Sequence, residues 1–297
     1  MRHRTLGDLR VSAIGLGAMP LSIEGRPDER RALATVHAAL DAGVTLLDTA
    51  DSYHLPGDAP GHNEHLVAKA LATYGGDTSD VLVTTKGGRG RPADGTWTIT
   101  GSPAHLKAAA KASLKRLGVE AIGLYQVHKP DPEVPFEESV GALRELLDEG
   151  VIRLAGLSNT DTAQIRQARE ILGDRLVSVQ NQYSPAVRTA EPELRLCAEL
   201  GLAFLPWSPL GGISRSSLDG PSRLRGEVRF GAFHEIAQDR GISPQQLCLA
   251  WLLAQSPTVI PIPGASRPET ILDSARAADL ALTEEERTRL DEAVAGA

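Results

Sequence analysis

The sequence predicts an α/β protein that folds as a (β/α)8 TIM barrel, in which eight buried strands alternate with helices. Short runs of β-branched residues or leucine recur between longer amphipathic segments. Helix patterns that end at glycine lead directly into the next strand, and no polar linker divides the 297 residues. We therefore expect one domain spanning residues 1–297.

The predicted strands are largely apolar, which is typical of strands covered on both faces by other elements. In chain order they are Ala13–Gly17, Val44–Asp48, Val81–Lys86, Ile122–His128, Ile152–Ser158, Val177–Asn181, Ala203–Ser208 and Val259–Pro261. A doubly wound open sheet would give a similar alternation, so the strand pattern alone leaves both folds open.

The helices between these strands carry start and stop signals. Apolar residues of Pro103–Leu117 fall on one face, with Ser102 as the N-cap, and Ser243-Pro244 repeats this start. Thr283 and Glu286 form a capping-box pattern, which predicts an extra helix after the last strand. The predicted helix stops are Gly43, Gly150 and Gly201.

Composition and charge restrict the class of partner. The net charge is −7 and no Lys/Arg-rich block occurs, which argues against nucleic acid or an anionic membrane as the main partner. Cys197 and Cys248 lie far apart in apolar stretches, as expected for free thiols in a reducing compartment. Without an apolar run of 18 residues, we expect a cytoplasmic protein that acts on a small molecule, and its oligomeric state stays open.

Four residues with complementary chemistry follow consecutive predicted strands. Asp48 ends the second strand with Tyr53 shortly after it, Lys86 ends the third, and His128 ends the fourth. Because the carboxyl ends of barrel strands share one rim, these side chains are expected to converge. Each residue alone has an ordinary structural explanation, so the prediction depends on their joint spacing.

This combination suits carbonyl reduction. Hydride addition to a carbonyl carbon leaves an alkoxide that must take a proton from a positioned acid, and Tyr53 is the candidate donor. A Lys86 ammonium nearby would lower the pKa of the phenol by stabilising the phenolate. Asp48 would keep Lys86 charged, and His128 would hydrogen-bond the carbonyl oxygen.

The segment Gly43-Val-Thr-Leu-Leu-Asp48-Thr-Ala-Asp51-Ser-Tyr53 resembles the most specific motif of the aldo-keto reductase superfamily. The resemblance extends over essentially the whole chain, and Asp48, Tyr53, Lys86 and His128 match the catalytic tetrad of that family. Residues 6–19 resemble its N-terminal β-hairpin, which plugs the bottom of the barrel. The resemblance implies an NADP-dependent enzyme that reduces an aldehyde or ketone.

The resemblance also implies an NADPH site along the same rim. Ser158, Asn159 and Gln180 would hold the nicotinamide carboxamide, and Trp207 would stack on the nicotinamide ring. Arg267, beside a helix N-terminus, would bind the 2′-phosphate. The complete implied set is Gly17, Ala18, Met19, Asp48, Ser158, Asn159, Gln180, Trp207, Ser208, Pro209, Leu210, Gly212, Gly264, Ser266, Arg267 and Thr270.

The chain departs from the family pattern at the adenine end, where the usual Gln or Arg followed by Glu-Asn is replaced. The residues found there are Thr270, Asp273 and Ser274. The long connection over residues 211–229 either folds across the pyrophosphate or forms a solvated surface loop. Its candidate cations are Arg215, Arg223 and Arg225.

Other motifs support competing sites only weakly. Gly15-Leu-Gly17 lacks the third glycine and the acidic residue of a Rossmann fingerprint, which disfavours that fold. His62-Asn-Glu-His65 has too few ligands for a metal site, so we interpret it as a solvated helix start and predict no metal. Gly87–Arg91 and Trp97 are predicted to form one wall of the substrate pocket.

Two functions remain open. The first is a catalytic reductase, which the complete tetrad favours. The second is a non-catalytic barrel that binds the cofactor and acts as an auxiliary channel subunit. Within the reductases, the Lys86 and Gln126–His128 stretches resemble pyridoxal reductases, but steroid, sugar and secondary-metabolite carbonyls stay possible because loops set substrate choice.

Overall fold

A computed structural model describes residues 1–214 and 230–295. Arg215, Arg223 and Arg225 lie outside the described residues. The described strands are β1 (His3–Leu6), β2 (Leu9–Ser12), β3 (Leu16–Gly17), β4 (Leu46–Asp48), β5 (Leu82–Gly87), β6 (Arg89–Gly90), β7 (Thr98–Ile99), β8 (Ile122–Val127), β9 (Ile152–Ser158), β10 (Leu176–Gln180) and β11 (Ala203–Phe204).

The described α-helices alternate with these strands. They are α1 (Glu29–Asp41), α2 (His62–Thr73), α3 (Pro103–Leu117), α4 (Phe136–Asp148), α5 (Thr162–Leu172), α6 (Glu191–Leu200), α7 (Gly231–Asp239), α8 (Pro244–Gln255), α9 (Pro268–Arg276) and α10 (Glu284–Ala295). Within the described residues, no helix is long and apolar enough to cross a membrane.

Seven parallel strands form one sheet in the order β11-β10-β9-β8-β5-β4-β3. The predicted eighth strand is a hydrogen-bonded segment rather than a regular strand. On one side, the Ile260 N–H donates to Phe204 O, and on the other the Gly15 N–H donates to Pro261 O, each at 2.9 Å. Isolated bridges Phe204↔Val259 and Gly17↔Gly264 complete the closure, which confirms the predicted barrel.

Prolines explain why the last strands are shorter than predicted. Pro261 and Pro263 have no N–H to donate. On the side that faces residues 15 and 17, the eighth segment therefore accepts hydrogen bonds through the carbonyls of these prolines and donates none in return. The predicted strand Ala203–Ser208 similarly ends at Phe204, shortly before Pro206. The predicted strand Ile152–Ser158 and helix Pro103–Leu117 have the observed bounds.

The N-terminal hairpin and the helix caps also agree with the sequence. β1 pairs with β2 in antiparallel register, and Leu6 and Val11 are buried in an apolar cluster with residues of the barrel strands. The Glu286 N–H donates to Thr283 Oγ1, and the Thr283 N–H donates to Glu286 Oε2. This reciprocal pair confirms the predicted capping box of α10.

Candidate active site

The tetrad residues meet at the carboxyl ends of β4, β5 and β8. Asp48 ends β4 and is opposite Thr84 in the register with β5, which carries Lys86. His128 directly follows β8, and its N–H donates to Gly87 O at 2.9 Å. Tyr53 lies in the connection after β4. The parallel register therefore brings residues from distant parts of the chain to one rim.

Lys86 is the centre of this cluster. Its ammonium donates to Asp48 Oδ2 at 2.7 Å, to Thr49 O at 2.9 Å and to the Tyr53 hydroxyl at 3.2 Å. The Lys86 side chain is 0% exposed and that of Asp48 is 3% exposed. Three oxygen partners fix the buried ammonium in position. They also compensate for the free energy lost when the charge is removed from water.

Asp48 is itself oriented by neighbouring side chains. Its Oδ1 accepts a hydrogen bond from Thr84 Oγ1 at 2.9 Å and one from Gln180 Nε2 at 2.8 Å. Gln126 Nε2 in turn donates to Thr84 Oγ1 at 3.2 Å. Gln180, expected at the nicotinamide, therefore also holds the carboxylate of the tetrad.

Burial and charge shift the pKa values of the cluster. Burial raises the pKa of Tyr53, and the Lys86 charge opposes that rise without cancelling it. Burial lowers the pKa of Lys86, but Asp48 and Tyr53 outweigh it, so the net pKa is raised and the ammonium persists. Burial, followed by the charges of Lys86 and Arg89, holds the pKa of His128 well below its ordinary value, so its imidazole is neutral near pH 7.

His128 and Tyr53 border the inner end of a cleft of about 910 Å³. The two rings are edge to face, with centroids 5.7 Å apart. Most residues that the resemblance implies for NADPH border this cleft: Gly17, Met19, Asp48, Ser158, Asn159, Gln180, Trp207, Ser208, Pro209, Leu210, Gly264, Ser266, Arg267 and Thr270.

Ala18 and Gly212 are the two implied residues that do not border the cleft. Ala18 is fully buried in an apolar cluster, and its carbonyl accepts a hydrogen bond from Asn63. Gly212 has φ +90° and packs so closely on Phe230 that a Cβ would lie 2.4 Å from the ring. Both residues therefore pack against neighbouring residues of the protein rather than line the cleft.

Four residues that border the cleft were not among the predicted cofactor residues: Pro20, Gln245, Ile262 and Ala265. Gly211 and Ser214 also border it, and they belong to the connection over residues 211–229 that was predicted either to fold across the pyrophosphate or to form a surface loop. Gln245 lies in the first turn of α8, where nothing in its helical pattern marks it as facing a cleft. Ile262 had a usable signal, because it alternates with two prolines in the segment that closes the barrel.

Asn159 forms hydrogen bonds with three residues at the inner end of the cleft. It has φ +58°, in the left-handed region where asparagine is among the most tolerant residues. Its Nδ2 donates to His128 O and to Ser158 Oγ, both at 3.0 Å, and its Oδ1 accepts from Trp207 Nε1 at 3.2 Å. The indole ring is thereby fixed against the rim.

Arg267 stands at the outer end as the N-cap residue of α9. It is exposed, and its Nε donates to Thr270 Oγ1 at 2.9 Å. Within residues 1–214 and 230–295, the guanidinium forms no ion pair with Glu269. Thr270 is the one hydrogen-bond partner of this side chain in the described part of the protein, and Arg267 borders the cleft.

The structure corrects the interpretation of residues 62–65. The helix does begin at His62, but Asn63 and Glu64 are fully buried rather than solvated. Glu64 accepts from Thr85 Oγ1 at 2.6 Å and pairs with Arg116 Nε at 2.5 Å. In residues 1–214 and 230–295, no group of three His, Cys, Asp or Glu side chains is arranged to hold a metal.

Comparison with known proteins identifies the family. The model of the aldo/keto reductase family matches residues 13–295. An uncharacterized oxidoreductase of Schizosaccharomyces pombe is 32% identical over 291 residues, covering 97% of this chain and 88% of the relative.

Two solved structures extend this similarity to the fold. The holo form of an aldo-keto reductase from Bacillus halodurans is 31% identical, with a TM-score of 0.79 over 99% of this chain and 96% of that one. An aldo/keto reductase from Klebsiella pneumoniae in complex with NADP and acetate is 28% identical, with a TM-score of 0.78 over 98% and 95% of the two chains. The predicted resemblance is confirmed, and the chain belongs to the aldo/keto reductase family of oxidoreductases.

Proposed function

We propose that this oxidoreductase uses NADPH to reduce an aldehyde or ketone to the alcohol. The observation that carries the proposal is the Lys86 ammonium, 2.7 Å from Asp48 Oδ2 and 3.2 Å from the Tyr53 hydroxyl. Tyr53 also borders the cleft, whereas Lys86 is fully buried behind it. This arrangement suits a phenol that donates its proton to a bound ligand while a cation stabilises the phenolate.

The cleft residues fit a nicotinamide dinucleotide. At the inner end, Ser158, Asn159 and Gln180 offer amide and hydroxyl groups to a carboxamide, beside the flat ring of Trp207. At the outer end, Arg267 and the first turn of α9 offer positive charge to a 2′-phosphate. The Klebsiella pneumoniae relative in complex with NADP supports this choice of cofactor.

NADPH, when bound, supplies a hydride to the carbonyl carbon. The chain supplies the rest. The neutral imidazole of His128 donates a hydrogen bond to the carbonyl oxygen, and Tyr53 transfers its proton to that oxygen as negative charge develops. Lys86 stabilises the phenolate that results, and Asp48 keeps the ammonium in place.

Replacing Tyr53 by Phe tests the assignment of the acid. The substitution removes only the hydroxyl, so kcat for aldehyde reduction should fall by about 10² to 10⁴, the usual contribution of a general acid. The dissociation constant of NADPH should stay within a few-fold of wild type. Stopped-flow or steady-state NADPH oxidation gives kcat, and fluorescence titration gives the dissociation constant.

Tyr125→Phe is the matched control. Tyr125 is a fully buried tyrosine on β8 whose hydroxyl donates to Leu106 O outside the cleft. Its loss should leave kcat near wild type. If Tyr53→Phe keeps most of the wild-type kcat, Tyr53 is not the acid. If the wild-type protein binds NADPH but does not oxidise it in the presence of any tested aldehyde or ketone, the non-catalytic auxiliary subunit becomes the better proposal.

A further inference from the structure

Arg89 projects from the predicted substrate wall into the cleft. It begins a short hairpin in which β6 pairs with β7, Arg89 being opposite Ile99. Arg89 and Trp97 border the same cleft as Tyr53 and His128. The hairpin therefore places a guanidinium on the substrate side of the reacting groups.

The Arg89 guanidinium lacks a polar partner in the described part of the chain. Its Cζ lies 4.8 Å from the centroid of the Trp97 ring, which holds it by a cation–π contact. Its Nε is buried and has no hydrogen-bond partner among residues 1–214 and 230–295. No ion pair to Arg89 is formed there either. A half-buried guanidinium normally has hydrogen bonds or a counter-charge, because desolvation of an unpaired charge is costly.

Arg91 provides an internal comparison two residues along. Its Cζ also lies 4.8 Å from the Trp97 centroid. However, its Nη1 donates to His54 O at 2.9 Å, and its Nη2 forms an ion pair with Glu24. The charge of Arg91 is therefore used within the protein, and Arg91 does not border the cleft.

The field of Arg89 reaches the reacting groups. Its charge contributes to lowering the pKa of His128, after burial and Lys86. It also opposes the burial that raises the pKa of Tyr53. A ligand positioned on Tyr53 and His128 thus lies within the electrostatic range of an unpaired cation.

We propose that Arg89 binds a carboxylate of the substrate, so that the enzyme prefers aldehydes or ketones that carry this group beside the reacting carbonyl. The planar guanidinium offers Nε and Nη donors side by side, which match the two oxygens of a carboxylate. Stacking on Trp97 limits its rotamers and reduces the entropy lost on binding. This inference rests on the proposed carbonyl reduction and specifies its substrate class.

The test compares matched aldehydes that differ in charge. The values of kcat/KM with NADPH are measured for 3- and 4-carboxybenzaldehyde and for the corresponding formylbenzamides, which are nearly isosteric but neutral. Wild type should favour at least one carboxylate over its amide by about tenfold or more, the range expected for a charge-assisted pair. Arg89→Met should remove this preference, because kcat/KM should fall about tenfold more for the carboxylate than for its neutral amide.

Two further variants make the result specific. Arg89→Lys keeps the charge but not the bidentate geometry, so it should retain only part of the preference. Arg91→Met, which changes the other arginine on Trp97, should leave the ratio of carboxylate to amide unchanged. Equal losses for both substrates in Arg89→Met, or an unchanged ratio, would overturn the proposal. If wild type reduces none of these four aldehydes, the result would instead contradict the proposed reductase activity itself.

Discussion

Asp51, two residues before Tyr53, is a buried acid without a complete set of partners. It is 7% exposed, and its Oδ1 has no hydrogen-bond partner within the described residues. Burial raises its pKa to about 8, with a further contribution from the nearby charge of Glu64. Asp51 therefore keeps its proton at a pH where an exposed carboxyl would lose it.

This shift predicts a pH-dependent stability. The unfolded chain releases the Asp51 proton near its ordinary pKa of 3.8, whereas the folded protein releases it near 8. The folded state thus holds more protons between these values, and this contribution to stability decreases as the pH rises from about 4 to 8. Asp51→Asn, which cannot ionise, should flatten that decrease and raise Tm relative to wild type more at pH 8 than at pH 5.

Thermal unfolding at several pH values measures this difference. Asp161→Asn serves as the control, because Asp161 is exposed at the N-cap of α5 and asparagine caps helices equally well. This variant should keep the wild-type dependence of Tm on pH. An Asp51→Asn variant whose Tm differs from wild type by the same amount at every pH would contradict the assigned shift.

At the residue scale, spacing predicted that the four tetrad residues converge, but it did not predict the buried charges behind them. The proximity of Asp48, Tyr53 and Lys86 could be predicted because barrel topology fixes where strand ends meet. Glu64 appeared to be part of a solvated helix start because its partner Arg116 lies 52 residues away. Such a pair depends on how α2 packs on α3, and the sequence carries no local signal for that contact.

At the scale of elements, a close backbone approach closes the barrel. The Gly17 N–H donates to Pro263 O at 3.0 Å, and a Cβ on Gly17 would lie 2.8 Å from Ile262 O. The sequence located both segments but not this contact, because proline-rich strands lack the regular pattern on which strand prediction depends. Gly17 is thus constrained by the fold as well as by its place at the cleft.

Two glycine substitutions should have opposite effects on stability. Gly17→Ala forces a backbone oxygen of the last segment to move, so it should lower the free energy of unfolding by more than about 1 kcal/mol. Gly141 lies within α4, and an added methyl would meet no described residue within 4 Å beyond its own helix backbone and chain neighbours, so Gly141→Ala should raise that free energy by about 0.5–1 kcal/mol. Urea unfolding measures both, and a stabilised Gly17→Ala would contradict the closure described for this barrel.

At the scale of the whole molecule, the N-terminal residues contact segments that come late in the chain. The Arg4 guanidinium donates to Leu253 O at 2.7 Å and to Ser256 O at 3.2 Å. The N-terminal ammonium of Met1 pairs with Asp279 at 3.2 Å. These contacts tie the hairpin to helical segments near the C-terminus, and we propose on this basis that the chain is one domain.

The net charge of the molecule opposes an anionic cofactor. The chain carries −7, whereas NADPH brings a pyrophosphate and a 2′-phosphate. At physiological salt, charges are screened over about 8 Å, so cations that contact the cofactor decide the binding energy. We propose Arg267 as such a cation, because it borders the cleft, although Glu269 and Asp273 border it as well. NADH lacks the 2′-phosphate and would not use this charge.

Arg267→Ala should therefore reduce the preference for NADPH over NADH. A charge-assisted hydrogen bond contributes about 1.5–3 kcal/mol, and the exposure of Arg267 places the effect near the lower limit, about tenfold weaker NADPH binding. NADH binding should change little. Arg276→Ala is the matched control, because it removes the same charge from the other end of α9, outside the cleft lining, and should leave the preference intact. Fluorescence titration of both cofactors decides the matter: equal losses for NADPH and NADH would mean that Arg267 only orders its own turn through Thr270.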